Sequence, residues 1–270
     1  MRCTSAACVL ACAALLWPPA AAADPVEVVW TDDVPATVTL LAGWLALSAL
    51  QDDIVGHDCG WCGGPGPVDR AVRGALLAPA PKAANVASNV MLFGVAPAFS
   101  LAASLIAARV VGDSWLVFAE DVTLVAESFA LAAMLTNLVK ISVRRTRPYL
   151  HYGGEDPLYS DGSLDVTGFF SGHSSMAASV AASTATLAFL RGRPGAPWIA
   201  VAGGAVAVTT GMLRIAADRH YLSDVLAGLA LGTAVGILVP VLHALPLGRS
   251  KEVAITLAPA PGGLGVSGIF

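Results

Sequence analysis

Three clusters of polar residues sit at the ends of apolar stretches in the second half of this 270-residue chain. They are Lys140…Arg147-Pro148, Ser171-Gly172-His173 and Arg214…His220…Asp224. Together they supply three cations, two imidazoles and one carboxylate. That set can grip a tetrahedral phosphate and attack its phosphorus. Such groups are costly to bury in an apolar surrounding without a partner or ligand, so their presence calls for a function.

Each cluster has its own chemistry and its own plainer reading. Lys140 and Arg147 are seven residues apart, so both project from one face if the helix continues, with Pro148 ending it at Arg147. Arginine offers a planar fork to two phosphate oxygens and lysine a mobile point charge. The plainer reading is a basic collar flanking a membrane helix, to which Arg144 and Arg145 also belong. Ser171 suits a helix N-cap, and Gly172 lets an anion approach free backbone N–H groups at the positive end of the helix dipole. His173 beside that anion can protonate a leaving oxygen; otherwise it is an interfacial histidine on a capped helix. His220 and Asp224, four residues apart, share a helical face. The carboxylate can then bond one ring nitrogen and leave the other to attack. Arg214 can reach the same anion. The alternative is a helix corner with a local His–Asp bond and an exposed Asp218–Arg219 pair.

In this order and at these spacings the clusters resemble the signature of the type 2 phosphatidic acid phosphatase and vanadium haloperoxidase superfamily. Lys140 to Pro148 matches its first motif in full. Phe170-Ser171-Gly172-His173 matches the second with Phe170 in place of proline, and Leu213-Arg214…His220…Asp224 matches the third with Leu213 in place of serine. The resemblance covers about Trp115 to Pro246 and points to the membrane lipid phosphate phosphatase branch. It implies that His220 is a nucleophile forming a phosphohistidine, that Asp224 orients it, and that His173 is the acid for the departing alcohol. Lys140, Arg147, Arg214, Ser171 and the backbone at Gly172 would form the phosphate clamp. No metal and no cofactor are implied. Rival expectations are a vanadate-dependent haloperoxidase, a lipid phosphotransferase, and a non-catalytic bundle that binds lipid phosphates. Two of these are disfavoured: the apolar spans count against the haloperoxidase, and a mere binder needs only the cations; the sequence does not separate an acceptor alcohol from water.

The elements that must position these clusters are helices. Hydrophobic residues make up 56% of the chain and charged ones 13%, about half the usual share of roughly 25% in soluble domains. The net charge of −4 gives no general attraction to nucleic acid. Strongly apolar stretches run from Val86 to Ala108, Trp115 to Val139, Ser174 to Leu190, Trp198 to Leu213 and Tyr221 to Leu245. A shorter one, Val34 to Leu50, is near the lower limit for crossing a bilayer. The expected fold class is therefore all-α, a polytopic membrane helix bundle of five to six spans with a small C-terminal β-hairpin. By domain, residues 1–23 read as a signal peptide, 24–82 as an N-terminal helix with a Gly/Pro-rich loop, 83–247 as the phosphatase bundle, and 248–270 as the tail.

Cys59 and Cys62 read as an oxidised structural pair outside the cytoplasm. Arg109, Arg191, Arg193, Arg249 and Lys251 fall near connections on one side, which places that side in the cytoplasm. The clusters then face outward, into the periplasm if the membrane is a bacterial inner membrane. A cleaved leader combined with a crossing Val34–Leu50 helix gives the opposite orientation; the basic-residue pattern is preferred. The expected partners are the bilayer and a lipid phosphate substrate. Two titratable residues stay outside the clusters. Glu127 reads as a structural hydrogen-bonder within the membrane, near Ser183 or Thr184, and His243 as a packed or interfacial residue.

Overall fold

The computed structural model describes residues 26–56, 58–153, 166–245, 254–260 and 263–269. The expected signal peptide lies outside them. The described part before the tail is helical: α1 (Trp30–Ala49), the short α2 (Gln51–Val55), α3 (Pro67–Leu76), α4 (Pro81–Val90), a π-turn at Met91–Val95, α5 (Ala96–Val111), α6 (Trp115–Val143), the single turn α7 (Pro148–His151), α8 (Gly172–Leu190), α9 (Ala196–Ala216) and α10 (Leu222–Ala244). In the tail, β1 (Ala254–Ala260) pairs antiparallel with β2 (Gly263–Ile269), as the sequence suggests.

Among the described residues, four helical rods are long and apolar enough to cross a bilayer: 81–111, α6, α9 and α10. Their outer faces carry large apolar side chains, with Trp198 76% and Val110 69% exposed. Water would not tolerate so wide an apolar exterior, whereas lipid does. The protein is an integral membrane helix bundle.

The remaining long helices, α1 and α8, are less apolar. α8 (GHSSMAASVAASTATLAFL) is built almost wholly of small residues and is buried on nearly every side. It forms the axis of the bundle, packed chiefly against α10 and α9 and then α6. Its hydroxyls turn back on its own backbone, Ser179 to Met176 O and Thr184 to Val180 O, so they cost little inside the bundle. α10 meets α8 through Gly228, Gly232 and Gly236, one per turn. A Cβ on them would lie 2.5, 2.0 and 2.5 Å from the carbonyl oxygens of Ser171, Ser175 and Ser179. Small residues at this spacing allow backbones to touch. That contact sets the N-terminus of α8 beside the N-terminus of α10.

α1 runs alongside α6 in the same direction. It starts at the level of Glu127 and His243, where Glu27 N donates to His243 O, and reaches Asn137, whose amide donates to Trp44 O and Ser48 Oγ. Val34–Leu50 therefore traverses the bundle toward the site. Trp44 packs edge-on against Phe129 inside it. Thr184 pairs with Ser100 on α5, and Glu127 faces His243. At the end opposite the site, Arg191 and Arg193 bind Glu120, Asp121 and Asp113, burying Asp121 and Arg193 together.

Candidate active site

α6 does not continue to Arg147. It ends at Val143, and Arg144 takes a left-handed conformation with φ of 48°. The next residues run extended, where Gly60 N and Trp61 N donate to Arg144 O and Gly168 N donates to Arg145 O. Lys140 and Arg147 thus reach the same region around a corner rather than along one helical face. Cys59–Cys62, a disulfide, closes the loop that carries Trp61.

Arg147 is buried, with Nη2 donating to Thr167 Oγ1 at 3.1 Å and Nη1 to Arg219 O at 3.3 Å. The same Nη1 lies 3.5 Å from His220 Nε2. His220 Nδ1 is 2.7 Å from Gly168 O. A carbonyl oxygen only accepts, so Nδ1 carries the proton and Nε2 the lone pair. The bond expected from Asp224 thus comes from Gly168. Asp224 Oδ2 stands 3.8 Å from Nδ1, close enough to favour a cationic ring but not hydrogen-bonded to it.

Asp224 is instead the hub of a buried network. It reaches back to Tyr221 N at 2.8 Å, as an acid in the third position of a helix does. Its other oxygen pairs with Arg145, and Arg145 also binds Asp69 at 3.2 Å and Ser223 at 2.8 Å. Arg145 is sandwiched between the Trp61 and Tyr221 rings, at 4.3 and 4.6 Å. It belongs to this scaffold, not to an exposed collar. Nor do Asp218 and Arg219 form an exposed pair. Asp218 binds Arg73 of α3 through both oxygens at 2.6 Å, and buried Arg219 lies over Tyr149.

Ser171 caps α8, accepting from Ser174 N at 3.4 Å, while its own N–H donates to Asp224 O at 3.0 Å. At Gly172 a Cβ would meet Lys140 Nζ at 3.4 Å and the Thr136 methyl at 3.1 Å, so glycine lets the lysine reach the helix start. His173 Nε2 is 2.7 Å from Asn89 Oδ1, and its ring meets Phe93 edge-on at 5.9 Å. Arg214 Nη1 donates to Asn85 Oδ1 at 2.6 Å and Ser88 Oγ at 3.0 Å. Lys140, Arg147, Ser171, Gly172, His173, Arg214, His220 and Asp224 therefore gather at one end of the bundle.

Several participants were not singled out from sequence: Asp69, Asn85, Ser88, Asn89, Arg145, Thr167, Gly168 and Ser223. Asn85, Ser88 and Asn89 did carry a signal. Their spacing of three and four places them on one face of a helix that otherwise reads as apolar. Asp69 lay within a loop of Gly, Pro and Asp, and Gly168 contributes only its backbone.

Burial, followed by the nearby cations Arg147, Arg214 and Lys140, pushes the His220 imidazole well below its usual 6.5. The unfolded chain binds that proton more readily, so this histidine's contribution to stability is complete above pH 6.5 and falls away as the pH drops below it. For the free protein, the acid limb of any activity that needs the Nε2 lone pair should lie below pH 6.5, measured as kcat/KM against pH.

Residues 121–245 match the family described as PAP2 superfamily. Over 115 residues the chain is 37% identical to a lipid A 1-phosphatase of Porphyromonas gingivalis; the match covers 42% of this chain and 22% of that relative's length. Among solved structures, the chain is similar to a transmembrane PAP2 type phosphatidylglycerolphosphate phosphatase from Bacillus subtilis. The identity is 19% and the TM-score 0.49, over 80% of this chain and 98% of that one. All three motifs, carried at the ends of α6, α8, α9 and α10, lie inside the region that matches the PAP2 superfamily.

Proposed function

We propose that the protein is a membrane phosphatase that hydrolyses a lipid phosphate monoester or diphosphate through a phosphohistidine on His220. The observation that carries this reading is the His220 tautomer. Gly168 O holds the Nδ1 proton, so Nε2 offers its lone pair beside Arg147 and among three cations.

The chemistry follows from the positions. Lys140, Arg147 and Arg214, with the N-terminus of α8, hold the phosphoryl oxygens. Nε2 attacks phosphorus and the phosphorus–oxygen bond to the lipid breaks. The His173 ring, made cationic by proton uptake beside the bound phosphate anion and oriented by Asn89, gives a proton to the departing oxygen. Asp224 at 3.8 Å favours the ring once it becomes cationic. A water deprotonated by His173 then attacks phosphorus and releases His220. The clamp is made of cations, which favours direct electrostatic stabilisation over a bound metal.

An apolar cavity of about 360 Å³ between α1, the 81–111 rod and α6 supports a lipid substrate. Phe93 lines it and also touches His173, so an acyl chain lying there would lead its head group to the site. The lipid A 1-phosphatase relative is consistent with this substrate class. If α1 crosses the bilayer beside α6, an outward-facing site places residue 26 on the cytoplasmic side. The Cys59–Cys62 disulfide at the site end favours the outward-facing, periplasmic orientation.

The test is purified protein in detergent against phosphatidic acid, phosphatidylglycerol phosphate, polyprenyl diphosphate and lipid A phosphates, with phosphate release as readout. At least one should be hydrolysed, with competitive inhibition by orthovanadate. Binding of phosphate analogues with no release from any lipid would overturn the reading in favour of a binding bundle. Vanadate-dependent bromide oxidation would overturn it in favour of a haloperoxidase.

A further inference from the structure

Far from the phosphate clamp, three titratable side chains from three helices meet inside the bundle: Asp33 of α1, Glu127 of α6 and His243 of α10. One donor atom from each lies within 4.8 Å of the others. The phosphatase chemistry uses none of them.

We propose that Asp33, Glu127 and His243 bind a divalent transition-metal cation of the zinc class, which staples α1 to α6 and α10. The first argument is the imidazole. Its Nδ1 lies 2.8 Å from Val239 O, a pure acceptor, so Nδ1 is the protonated nitrogen and Nε2 bears the lone pair. A backbone carbonyl holding one ring nitrogen while the other addresses an ion is the common arrangement of a metal-bound histidine. His243 is 7% exposed, and its Nε2 has no hydrogen-bond partner. That nitrogen points between two carboxylates, at 3.4 Å from Asp33 Oδ2 and 3.6 Å from Glu127 Oε2.

The second argument is those separations. They are too long for hydrogen bonds of good strength. Donors bound at about 2.0–2.2 Å to a tetrahedral ion stand about 3.3–3.6 Å apart. One nitrogen and two carboxylate oxygens form a donor set that zinc accepts, with a fourth position for water. Thr37, one turn beyond Asp33 on the buried face of α1, also has a hydroxyl with no hydrogen-bond partner.

The third argument is charge. Two carboxylates and one imidazole inside an apolar bundle suit a divalent cation, whose charge matches two anionic ligands. Val29 N, donating to Asp33 Oδ2 at 2.8 Å, orients that acid but brings no charge.

The experiment uses the full chain purified in detergent, dialysed against zinc chloride and passed over a desalting column. Metal analysis should find one zinc per chain in wild type, and addition of zinc should raise its melting temperature. Cobalt substitution should give the visible bands of a tetrahedral site. Glu127→Gln keeps the shape of the side chain; it and His243→Ala should each lose the bound metal and the thermal shift while staying monodisperse. Wild type that retains no zinc, or a Glu127→Gln protein that still retains one equivalent with the same cobalt spectrum, would overturn the proposal. Neither readout depends on phosphatase activity.

Discussion

Replacing His220 with alanine should stop phosphate release, with a loss on the order of 10⁴-fold or more, as when a nucleophile is removed from other covalent hydrolases. The expectation rests on the ring's surroundings. Nε2 bears its lone pair 3.5 Å from Arg147 Nη1, while Nδ1 is fixed by Gly168. The other imidazole of the site, His173, has its Nε2 on Asn89 Oδ1 and serves the departing oxygen instead. Phosphate release from a micellar lipid phosphate measures the loss. Acid quenching of wild type during turnover should trap a phosphoryl group that is stable in base and labile in acid, and the variant should trap none. Asp224→Asn separates catalysis from scaffold. Its carboxylate pairs with buried Arg145 and the Tyr221 N–H, so this change should lower the melting temperature along with activity. Release by the alanine protein at the wild-type rate would remove His220 from the mechanism.

The second large effect is expected far from any charge. Gly232→Val should collapse both stability and activity, and Gly232→Ala should already cost about 3 kcal/mol or more. A Cβ at 232 lies 2.0 Å from Ser175 O, 2.7 Å from Ser175 C and 2.9 Å from its Cα, all backbone, so no side chain can swing aside. α10 would have to move off α8, separating His220 and Asp224 from Ser171, Gly172 and His173. The control is Gly204→Ala on α9, where a Cβ meets nothing within 4 Å and helix propensity improves. Melting in detergent, monitored by intrinsic fluorescence, distinguishes them. Equal melting temperatures for Gly232→Ala and Gly204→Ala would show that the close approach of α8 and α10 is not rigid.

The phosphate-gripping residues were legible because buried charge is expensive and therefore rare in an apolar chain. Lys140, Arg147, Arg214, His173, His220 and Asp224 stood out for that reason, and their spacings placed them at helix ends. What holds them was less visible. Gly168 acts through a carbonyl, which no residue type advertises. Arg145 had the same appearance as a flanking cation until Trp61, Tyr221, Asp69 and Ser223 closed around it. The helical link from Lys140 to Arg147 was a sound inference from spacing, but Arg144 turned the chain first. Span assignment by apolarity found the outer helices more easily than α8. That axis touches other helices rather than lipid, so small size matters there more than greasiness.

The ion-paired cap opposite the site changes what its arginines can report. Arg191 and Arg193 were taken as topological markers, yet in the folded protein two positive charges face three acids, Asp113, Glu120 and Asp121. Positive residues steer insertion while acidic ones contribute little. The steering must act on the nascent polypeptide, before the later arginines find carboxylates translated some seventy residues earlier. Once docked, Arg191 and Arg193 add no net positive charge to that membrane face, so anionic lipid headgroups meet exposed Arg109 there rather than this pair.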